Sequence, residues 1–424
     1  MWLLYQLLLI LGLLLYLPKA LWRRRLPHRG WSMRLGRYPA SIRQQLDGTP
    51  VIWLHAVSVG EVLAARPLLE RLAQTRAQDP LVVSTITPSG FQLASTQITA
   101  AKAVIYFPLD FHRCVTRALD LLRPKLLLLM ESELWPMAIH AAKARGVAIA
   151  VVNGRISPRT FARYRVVTRW LRGTLDRVDL WLMQSQLDAD RVLWLGAAPA
   201  KVRVVGNLKW DASLSARPVP EALQAEAHRL GLNGRQSVVV AGSTHRGEEG
   251  LVLQAFASLR SAHPQARLIV APRHLERLAE VEALVRDAGL TPQRLSADLP
   301  TSVWDVGIVD TFGQLPTYYG LASAVFIGGS LIPHGGQNPL EPASLGKPLL
   351  FGSSMHNFAD IARQLLDRRA ARQLRNGSEL SAALQELLSD RPAAEAMGRR
   401  AQDVVEQSRG TTQRTLEALA PLLS

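Results

Sequence analysis

Short runs of apolar residues alternate along the chain with segments in which apolar positions recur every three or four residues. Continuous Val, Leu and Ile runs are typical of strands covered on both faces, and the longer spacing is typical of helices. The predicted strands of the first half are Val51–His55, Leu81–Thr87, Ala103–Phe107, Leu126–Glu131, Val147–Asn153 and Asp179–Gln184. Helical patterns such as Glu61–Gln74 and Pro136–Arg145 lie between them. This alternation predicts an α/β fold, with helices on both faces of a parallel sheet.

The same pattern restarts after a polar, proline-containing segment at residues 211–220. The predicted strands of the second half are Ser237–Ala241, Arg267–Ala271, Asp305–Val309, Ala324–Gly328 and Pro348–Phe351. The last fifty residues have a helical pattern that ends in Thr412–Leu423. We therefore predict two Rossmann-like domains, at residues 23–210 and 211–424, the second including the terminal helices. Ligands bind beyond the carboxyl ends of strands in such sheets, so two facing domains are expected to enclose a cleft.

The first 17 residues contain no charged side chain, and they precede a strongly basic segment. Residues 19–47 hold eight Lys or Arg residues against a single acid, Asp47. A signal peptide would carry its positive charges before the apolar stretch, and a buried core helix would need apolar cover on every side. A membrane-anchor helix at residues 1–22 fits the pattern better, because a span needs about 20 residues. The following cations predict that the rest of the chain lies on the cytoplasmic side of that membrane.

Composition narrows the class of protein. The 424 residues are 48% hydrophobic, which is too apolar for a disordered chain. One Cys excludes a disulfide scaffold and a cysteine metal cage, and the ten His residues show no ligand spacing, so no metal is expected. The net charge of +16 could indicate nucleic acid, but anionic lipids explain the basic segment equally well. Aromatic residues do not interleave with a basic patch, so no nucleic-acid partner is expected.

The first candidate for chemistry is the segment HAVSVGE at residues 55–61, where a predicted strand meets a predicted helix. Ser58 and Glu61 have the spacing of a capping box, so Glu61 could simply cap the helix. Alternatively, its carboxylate faces the ligand edge of the sheet and acts as a general base. Gly60 would allow a substrate to approach the backbone closely.

Two further groups follow predicted strands of the first domain. The segment MESELWP at residues 130–136 places Glu131 and Glu133 directly after an all-apolar strand. These acids either sit near a helix N-terminus or form a pair in which one carboxylate raises the pKa of the other. Lys209 ends the segment GNLK at residues 206–209, where it could contact a phosphate or a carboxylate.

The second domain has four polar loops after its predicted strands. They are residues 241–249, 272–274, 310–315 and 328–342. Arg273 is suited to binding a phosphate with two hydrogen bonds. Asn338, Pro339 and Glu341 fit the N-cap, N1 and N3 positions of a helix that follows a glycine pair, which is a typical anion site. Together the loops predict a phosphate-bearing ligand.

As a set, these motifs resemble those of the Kdo (3-deoxy-D-manno-octulosonic acid) transferases of Gram-negative lipopolysaccharide synthesis. The resemblance extends from the N-terminus to about Asn357 and depends on the motifs SVGE, MESELWP and GGQNPLE. It implies a GT-B fold, CMP-Kdo as the donor, a lipid A precursor (lipid IVA) as the acceptor, and neither metal nor cofactor. It implies Glu61 as the base, with Glu131 and Lys209 stabilising the transition state. The implied CMP-binding residues are Pro272, Arg273, Phe312, Gly313, Gln314, Asn338, Pro339, Leu340 and Glu341.

One position departs from the family pattern. Many relatives have Met-Gly-Glu where this chain has Phe312, Gly313 and Gln314. The change matters if a carboxylate contacts the nucleotide there, and it is harmless if the contact is made by the backbone. Two other classes of protein remain open. One is a different GT-B sugar-nucleotide transferase or epimerase, and the other is a membrane-tethered binding protein without catalytic activity.

Overall fold

The chain forms two compact units, each built around one parallel sheet. The computed structural model describes residues 5–7, 9–12, 14–15, 30–215, 217–296 and 304–423. The first unit comprises Met1–Ala212 and Gly410–Ser424, and the second comprises Ser213–Arg409. Both units therefore have the α/β architecture predicted from the alternation of apolar runs and helical patterns.

The sheet of the first unit has seven parallel strands in the order β3-β2-β1-β4-β5-β6-β7. The strands are β1 (Ile52–His55), β2 (Leu81–Thr85), β3 (Ala103–Tyr106), β4 (Leu126–Met130), β5 (Ala148–Gly154), β6 (Leu180–Met183) and β7 (Val202–Val204). The helices are Trp31–Arg34, Ala40–Leu46, Val59–Thr75, Pro88–Gln97, His112–Leu122, Pro136–Lys143, Pro158–Val166, Thr168–Leu175, Gln186–Leu195 and Thr411–Leu423. A further helix, Lys209–Ser215, begins in the first unit and ends in the second. Successive strands are added on one side of β1 up to β3 and on its other side from β4 onward, so ligand-binding loops are expected after β1 and β4.

Burial on both faces explains why the central strands are continuously apolar. Every residue of β1 and β4 is buried. Successive side chains of a strand point to opposite faces, so Trp53 and Leu127 join one core cluster, and Leu54 and Leu128 join the other. Helices must therefore cover both faces of this sheet, as the sequence pattern predicted.

The second unit repeats this plan with the strand order β10-β11-β9-β8-β12-β13-β14. Its strands are β8 (Val238–Thr244), β9 (Arg267–Pro272), β10 (Pro292–Arg294), β11 (Val306–Ile308), β12 (Ala324–Ile327), β13 (Leu349–Gly352) and β14 (Arg372–Leu374). Its helices are Pro220–Arg229, Glu249–Arg260, Leu278–Asp287, Leu315–Leu321, Leu340–Ser344, Ala359–Asp367, Glu379–Ser389 and Arg391–Gln407. The strand order changes side between β8 and β12, which places two glycine-containing loops at the expected ligand edge.

The sequence pattern did not predict β10 and β14. Each is a three-residue strand at an edge of the second sheet, and neither has a continuous apolar run. Edge strands have a partner on one side only, so burial imposes a weaker pattern on them. The two strands therefore depend on pairing with β11 and β13.

The last helix, Thr411–Leu423, belongs to the first unit, whereas the sequence assigned it to the second domain. Leu419 and Leu423 are buried in the core cluster that covers one face of the first sheet. The carboxylate of Asp211 accepts hydrogen bonds from the backbone N–H groups of Gly410 and Thr412, at 3.0 and 2.6 Å. The apolar stripe of this helix thus has a tertiary partner that is distant in sequence.

The proposed anchor helix lies largely outside the described residues. The described positions between Tyr5 and Leu15 are helical, and the Tyr5 hydroxyl donates a 2.6 Å hydrogen bond to Asp110. In the parts of the chain that the structure describes, no helix has both the length and the apolar character needed to cross a bilayer.

Candidate active-site residues

Two of the predicted catalytic carboxylates follow adjacent strands of the first sheet. Glu61 lies in the first turn of the helix after β1, and Glu131 directly follows β4. In the register of these two parallel strands, His55 is opposite Leu129, so their carboxyl ends lie side by side. Burial of Glu61, and after it the negative charge of Glu131, raises the pKa of Glu61.

The Glu61 carboxylate is buried and held from two sides. Its oxygens accept hydrogen bonds from the Val57 N–H at 2.8 Å and from the Ser58 hydroxyl at 3.1 Å. Burial, followed by the charge of Glu131, raises the pKa of Glu61 to about 7. A carboxylate with a pKa near neutrality can accept a proton from a substrate far better than an ordinary surface Glu.

Ser58 and Glu61 do not form the reciprocal pair of side-chain to backbone hydrogen bonds that defines a capping box. Ser58 occupies the N-cap position, but its side chain caps no backbone N–H group of the helix. Instead, the Ser58 hydroxyl donates to Glu61, and the carboxylate binds the N–H of Val57, one residue before the cap. Both contacts therefore orient the Glu61 carboxylate at the end of β1.

His55 supports this loop from inside the core. The side chain is fully buried, stacks on Phe107 at a ring distance of 3.9 Å, and its Nδ1 lies 3.0 Å from the Ser84 hydroxyl. Burial lowers the pKa of His55 to about 3, so the imidazole is neutral at physiological pH. His55 thus packs beneath the candidate base and does not itself serve as an acid.

Glu131 and Lys209 form an ion pair. The Lys209 Nζ atom lies 3.1 Å from the Glu131 Oε1 atom, and each side chain is 19% exposed. Glu131 has a left-handed backbone, with φ of 55°, while its N–H still bonds to the carbonyl of Val152. Such a conformation is unusual for a residue with a side chain, and it is often found at functional sites. Two of the residues that the family resemblance implies are therefore in direct contact.

Glu131 and Glu133 lie just before the N-terminus of the next helix, but neither of them caps it. The helix begins at Pro136, with Trp135 as its N-cap, and its first turn contains no acid. Asp110 caps it instead, because its carboxylate accepts hydrogen bonds from the N–H groups of Met137 and Ala138 at 3.0 and 2.8 Å. Burial and the charge of Glu131 raise the pKa of Glu133, as expected for neighbouring acids.

A network of amides positions the backbone around Lys209. Asn153, at the end of β5, accepts a 2.9 Å hydrogen bond from the Leu208 N–H. Asn207 accepts from the Lys209 N–H at 3.0 Å, and its amide donates to Gln184 at 2.9 Å. Gln184 in turn donates to the Asn153 carbonyl. The sequence reasoning missed Asn153 and Gln184, although both are polar residues at the ends of buried strands.

In the second unit, Glu248 occupies the position where an external anion was expected. Its fully buried carboxylate accepts hydrogen bonds from the N–H groups of His245, Gly329, Ser330 and Leu331, at 2.6 to 3.0 Å. The loop at residues 241–249 therefore does not present the His245 N–H group to a ligand. Glu248 instead joins the loops that follow β8 and β12.

The predicted nucleotide-binding residues follow three strands of the second sheet. Pro272 ends β9, and the exposed Arg273 comes next, with its N–H bonded to the carbonyl of Thr244. Phe312 follows β11 and is 76% exposed, which is unusual for an aromatic side chain. Gly313 has a φ of 85°, a conformation that favours glycine, and Gln314 is the N-cap of the next helix.

The helix after the glycine pair begins one residue later than the sequence predicted. Pro339 occupies the N-cap position, and Leu340 is the first residue of a helix only five residues long. Asn338 accepts a hydrogen bond from the Leu340 N–H and donates one to the Glu341 carboxylate, both at 3.1 Å. Burial raises the pKa of Glu341, while the hydrogen bond from Asn338 and the charge of Arg273 act to lower it.

Three histidines lie together near these loops. The ring of His245 is 3.9 Å from that of His334 and 5.6 Å from that of His274. Burial and the neighbouring positive charges lower the pKa of His245 to about 4. Across the described residues, no group of His, Cys, Asp or Glu side chains has an arrangement that could hold a metal ion.

Comparison with solved structures identifies the fold class. The UDP-GlcNAc 2-epimerase of Neisseria meningitidis, solved with UDP-GlcNAc, matches with a TM-score of 0.62. The match covers 88% of this chain and all of that one, at 15% sequence identity. The fold is therefore GT-B-like, with two seven-stranded parallel sheets.

Comparison of sequences identifies the family. Residues 29–212 match the family described as 3-deoxy-D-manno-octulosonic-acid transferase (kdotransferase). The 3-deoxy-D-manno-octulosonic acid transferase of Haemophilus influenzae is 31% identical, over 88% of this chain and 87% of the relative. The enzyme of the same name from Bordetella pertussis is 34% identical, over 94% of each chain. The chain belongs to the 3-deoxy-D-manno-octulosonic acid transferase family.

Proposed function

We propose that this protein transfers Kdo from CMP-Kdo to a lipid A precursor and releases CMP. Membership of the Kdo transferase family supports the activity, and the residues implied for catalysis are present in the first unit. The observation that carries the proposal is the buried Glu61 carboxylate, whose pKa is raised to about 7 beside the Glu131–Lys209 ion pair. This combination suits proton abstraction from a sugar hydroxyl near neutral pH.

In the proposed reaction, the acceptor hydroxyl attacks the anomeric carbon of Kdo as its proton moves to Glu61. The bond between that carbon and the phosphate oxygen breaks, and its electron pair leaves with CMP. One carbon–oxygen bond forms, one breaks, and the anomeric configuration is inverted. The Val57 N–H and the Ser58 hydroxyl hold the Glu61 carboxylate in a single orientation for this step.

Glu131 and Lys209 are proposed to stabilise the charges that develop in the transition state. Departure of CMP leaves positive charge on the sugar ring and negative charge on the leaving phosphate. The Glu131 carboxylate can stabilise the positive charge on the sugar ring, and the Lys209 ammonium can stabilise the negative charge on the phosphate. The two side chains are paired at 3.1 Å and mostly shielded from water, which strengthens their electrostatic effect.

The second unit is proposed to bind the CMP group. The exposed Arg273 guanidinium can form paired hydrogen bonds with a phosphate. Phe312 offers an aromatic face to a nucleobase, and Gly313 allows the backbone to approach the ligand closely. Pro272, Gln314, Asn338, Pro339, Leu340 and Glu341 complete the proposed CMP site.

The proposed location is the cytoplasmic face of a bacterial inner membrane, with residues 1–22 as the anchor helix of this GT-B enzyme. The charge-free first 17 residues and the eight cations that follow support this location. A lipid acceptor would then be reached at the surface of the same membrane. Anionic lipids of that membrane are the expected partners of the basic segment.

The test is incubation of the full chain with CMP-Kdo and a tetra-acylated lipid A precursor, with the products weighed by mass spectrometry. The proposal expects an increase in the lipid mass by one or more Kdo residues, together with release of CMP. Glu61→Gln serves as the inactive control. Transfer from UDP-sugars but not from CMP-Kdo, or no increase in the lipid mass, would refute the proposal.

A further inference from the structure

Arg34 lies at the carboxyl edge of the first sheet, near the loop that holds the candidate base. It is the last residue of the short helix Trp31–Arg34, and its guanidinium donates a hydrogen bond to the carbonyl of Ile86, which directly follows β2. The guanidinium carbon also lies 5.0 Å from the ring centre of Tyr106, the last residue of β3. Arg34 therefore occupies the side of the sheet on which ligands bind in folds of this kind.

No carboxylate neutralises Arg34 within the part of the chain that the structure describes. Its Nε atom is buried there without a hydrogen-bond partner, and burial lowers the pKa of the guanidinium, opposed by Tyr106 and not by an acid. The sequence contains no Asp or Glu before Asp47, so the neighbouring residues supply none. By comparison, the partly buried Arg76 pairs with Asp79 at 2.8 Å. A cation that is shielded from water usually has such a partner, which makes Arg34 a candidate for binding an external anion.

The loop that Arg34 contacts adjoins the loop of the candidate base. The N–H groups of Ile86 and Thr87 both donate to the Val57 carbonyl at 3.4 Å. The Val57 N–H in turn donates to the Glu61 carboxylate at 2.8 Å. Consecutive hydrogen bonds thus connect Arg34 to Glu61 through two backbone segments. A molecule that presents a hydroxyl to Glu61 is therefore expected to lie close to Arg34.

Packing holds Arg34 in place. Its carbonyl accepts a 2.7 Å hydrogen bond from the Leu109 N–H. The Tyr106 ring beside the guanidinium stacks on Phe91 at 4.4 Å, and a Cβ atom at Gly30 would lie only 2.4 Å from that ring. A side chain that is already ordered loses little conformational freedom when it binds a ligand. Arg34 is therefore preorganised for binding.

We propose that Arg34 binds a phosphate group of the acceptor and thereby selects phosphorylated acceptors. The identity of the acceptor depends on the proposed function. A guanidinium has several N–H donors, one of which bonds to Ile86, so others remain for phosphate oxygens. The donor is also an anion, but its proposed CMP site belongs to the second unit, so the acceptor is favoured. A phosphate bound to Arg34 would orient the acceptor hydroxyl toward Glu61.

The experiment compares two acceptors that differ only in phosphate. They are the tetra-acylated lipid A precursor with its phosphate monoesters and the same lipid after phosphatase treatment. We would measure kcat/KM for both in detergent, with the full-length wild type, Arg34→Gln, Arg34→Lys and Arg123→Gln. Arg123 is the matched control, because it also donates to a backbone carbonyl, that of Gly48 at 3.3 Å. It precedes β4 and therefore lies at the opposite edge of the same sheet.

The proposal expects Arg34→Gln to lower kcat/KM for the phosphorylated acceptor by about 10- to 100-fold, which is the loss expected for a hydrogen bond to a charged group. The kcat/KM for the dephosphorylated acceptor and the KM for CMP-Kdo should not change. Arg34→Lys should lose less, because it keeps the charge but not the planar array of donors. Arg123→Gln should leave all of these quantities at the wild-type level.

Two kinetic results would overturn the proposal. Equal losses with both acceptors would show that Arg34 only supports the fold, and a raised KM for CMP-Kdo would assign its charge to the donor.

A binding measurement without donor separates this proposal from the proposed function. The deacylated, phosphorylated glucosamine disaccharide is titrated into the wild type and Arg34→Gln in a calorimeter. The wild type should bind it at least about tenfold more tightly than the variant does, and the dephosphorylated disaccharide should show no such difference. Equal binding by the two proteins, or no binding by the wild type, would overturn the role of Arg34. Absence of Kdo transfer by the wild type would instead refute the proposed function.

Discussion

Replacing Glu61 by Gln is expected to abolish transfer and, at alkaline pH, to stabilise the folded protein. Burial and the charge of Glu131 raise the pKa of Glu61 from 4.5 to about 7, so the folded state binds this proton more tightly than the unfolded state does. The contribution of Glu61 to stability is therefore complete below pH 4.5 and is lost as the pH rises through about 7. Gln removes the charge and can still accept the hydrogen bond from the Val57 N–H.

The size of the effect follows from the two pKa values. Raising the pKa of a carboxyl from 4.5 to about 7 corresponds to about 3 kcal/mol of unfolding free energy, since one pKa unit is about 1.4 kcal/mol. At pH 8, the free energy of unfolding of Glu61→Gln should therefore exceed that of the wild type by up to about 3 kcal/mol. At pH 5 the gain should fall below about 1 kcal/mol, because wild-type Glu61 is then mostly protonated in the folded state.

The assay is urea denaturation of the wild type and the variant at pH 5 and pH 8, with kcat/KM measured over the same range. Glu70→Gln is the control, because Glu70 lies on the same helix with a side chain that is 41% exposed. This variant should change neither the free energy of unfolding nor kcat/KM by much. Wild-type kcat/KM should rise as the pH increases through about 7. The kcat/KM of Glu61→Gln should be about 10²–10⁴-fold lower than that of the wild type. Equal stability of wild type and Glu61→Gln at pH 8 would refute the reasoning about burial, and wild-type turnover would exclude Glu61 as the base.

Three further predictions concern the other residues of the site. Lys209→Gln should lower kcat by about 10²-fold in steady-state assays, because Glu131 loses its partner and the leaving phosphate loses a cation; a change in KM alone would argue against this role. Arg273→Ala should raise the KM for CMP-Kdo at least about tenfold and change kcat little, and an unchanged donor KM would refute a phosphate contact. Glu248→Gln should lower the free energy of unfolding by about 3 kcal/mol in urea denaturation, because an amide nitrogen would face backbone N–H groups. Glu276→Gln, with a side chain that is 80% exposed, is the control and should leave stability unchanged.

Several features of the site could not have been predicted from local sequence. Asp110 caps a helix that begins 26 residues later, and Glu248 binds the N–H groups of a loop some 80 residues away. Asn153 and Gln184 support Lys209 across two strands of the sheet. Local spacing contains no signal for such pairs, because each depends on which strands become neighbours.

The sequence by itself determined the central strands of both sheets and the position of the candidate chemistry along the chain. Burial on both faces imposes continuous apolar runs on central strands, so β1, β4, β8 and β12 could be recognised, and polar residues after them indicated the ligand edges. Tertiary structure decided what those polar residues do. It gave the capping role to Asp110, left Glu131 to pair with Lys209, and raised the pKa of Glu61 through burial and a neighbouring charge. Tertiary structure also placed the last helix in the first unit. The sequence of this helix contains an apolar stripe, but a stripe does not specify which surface will bury it.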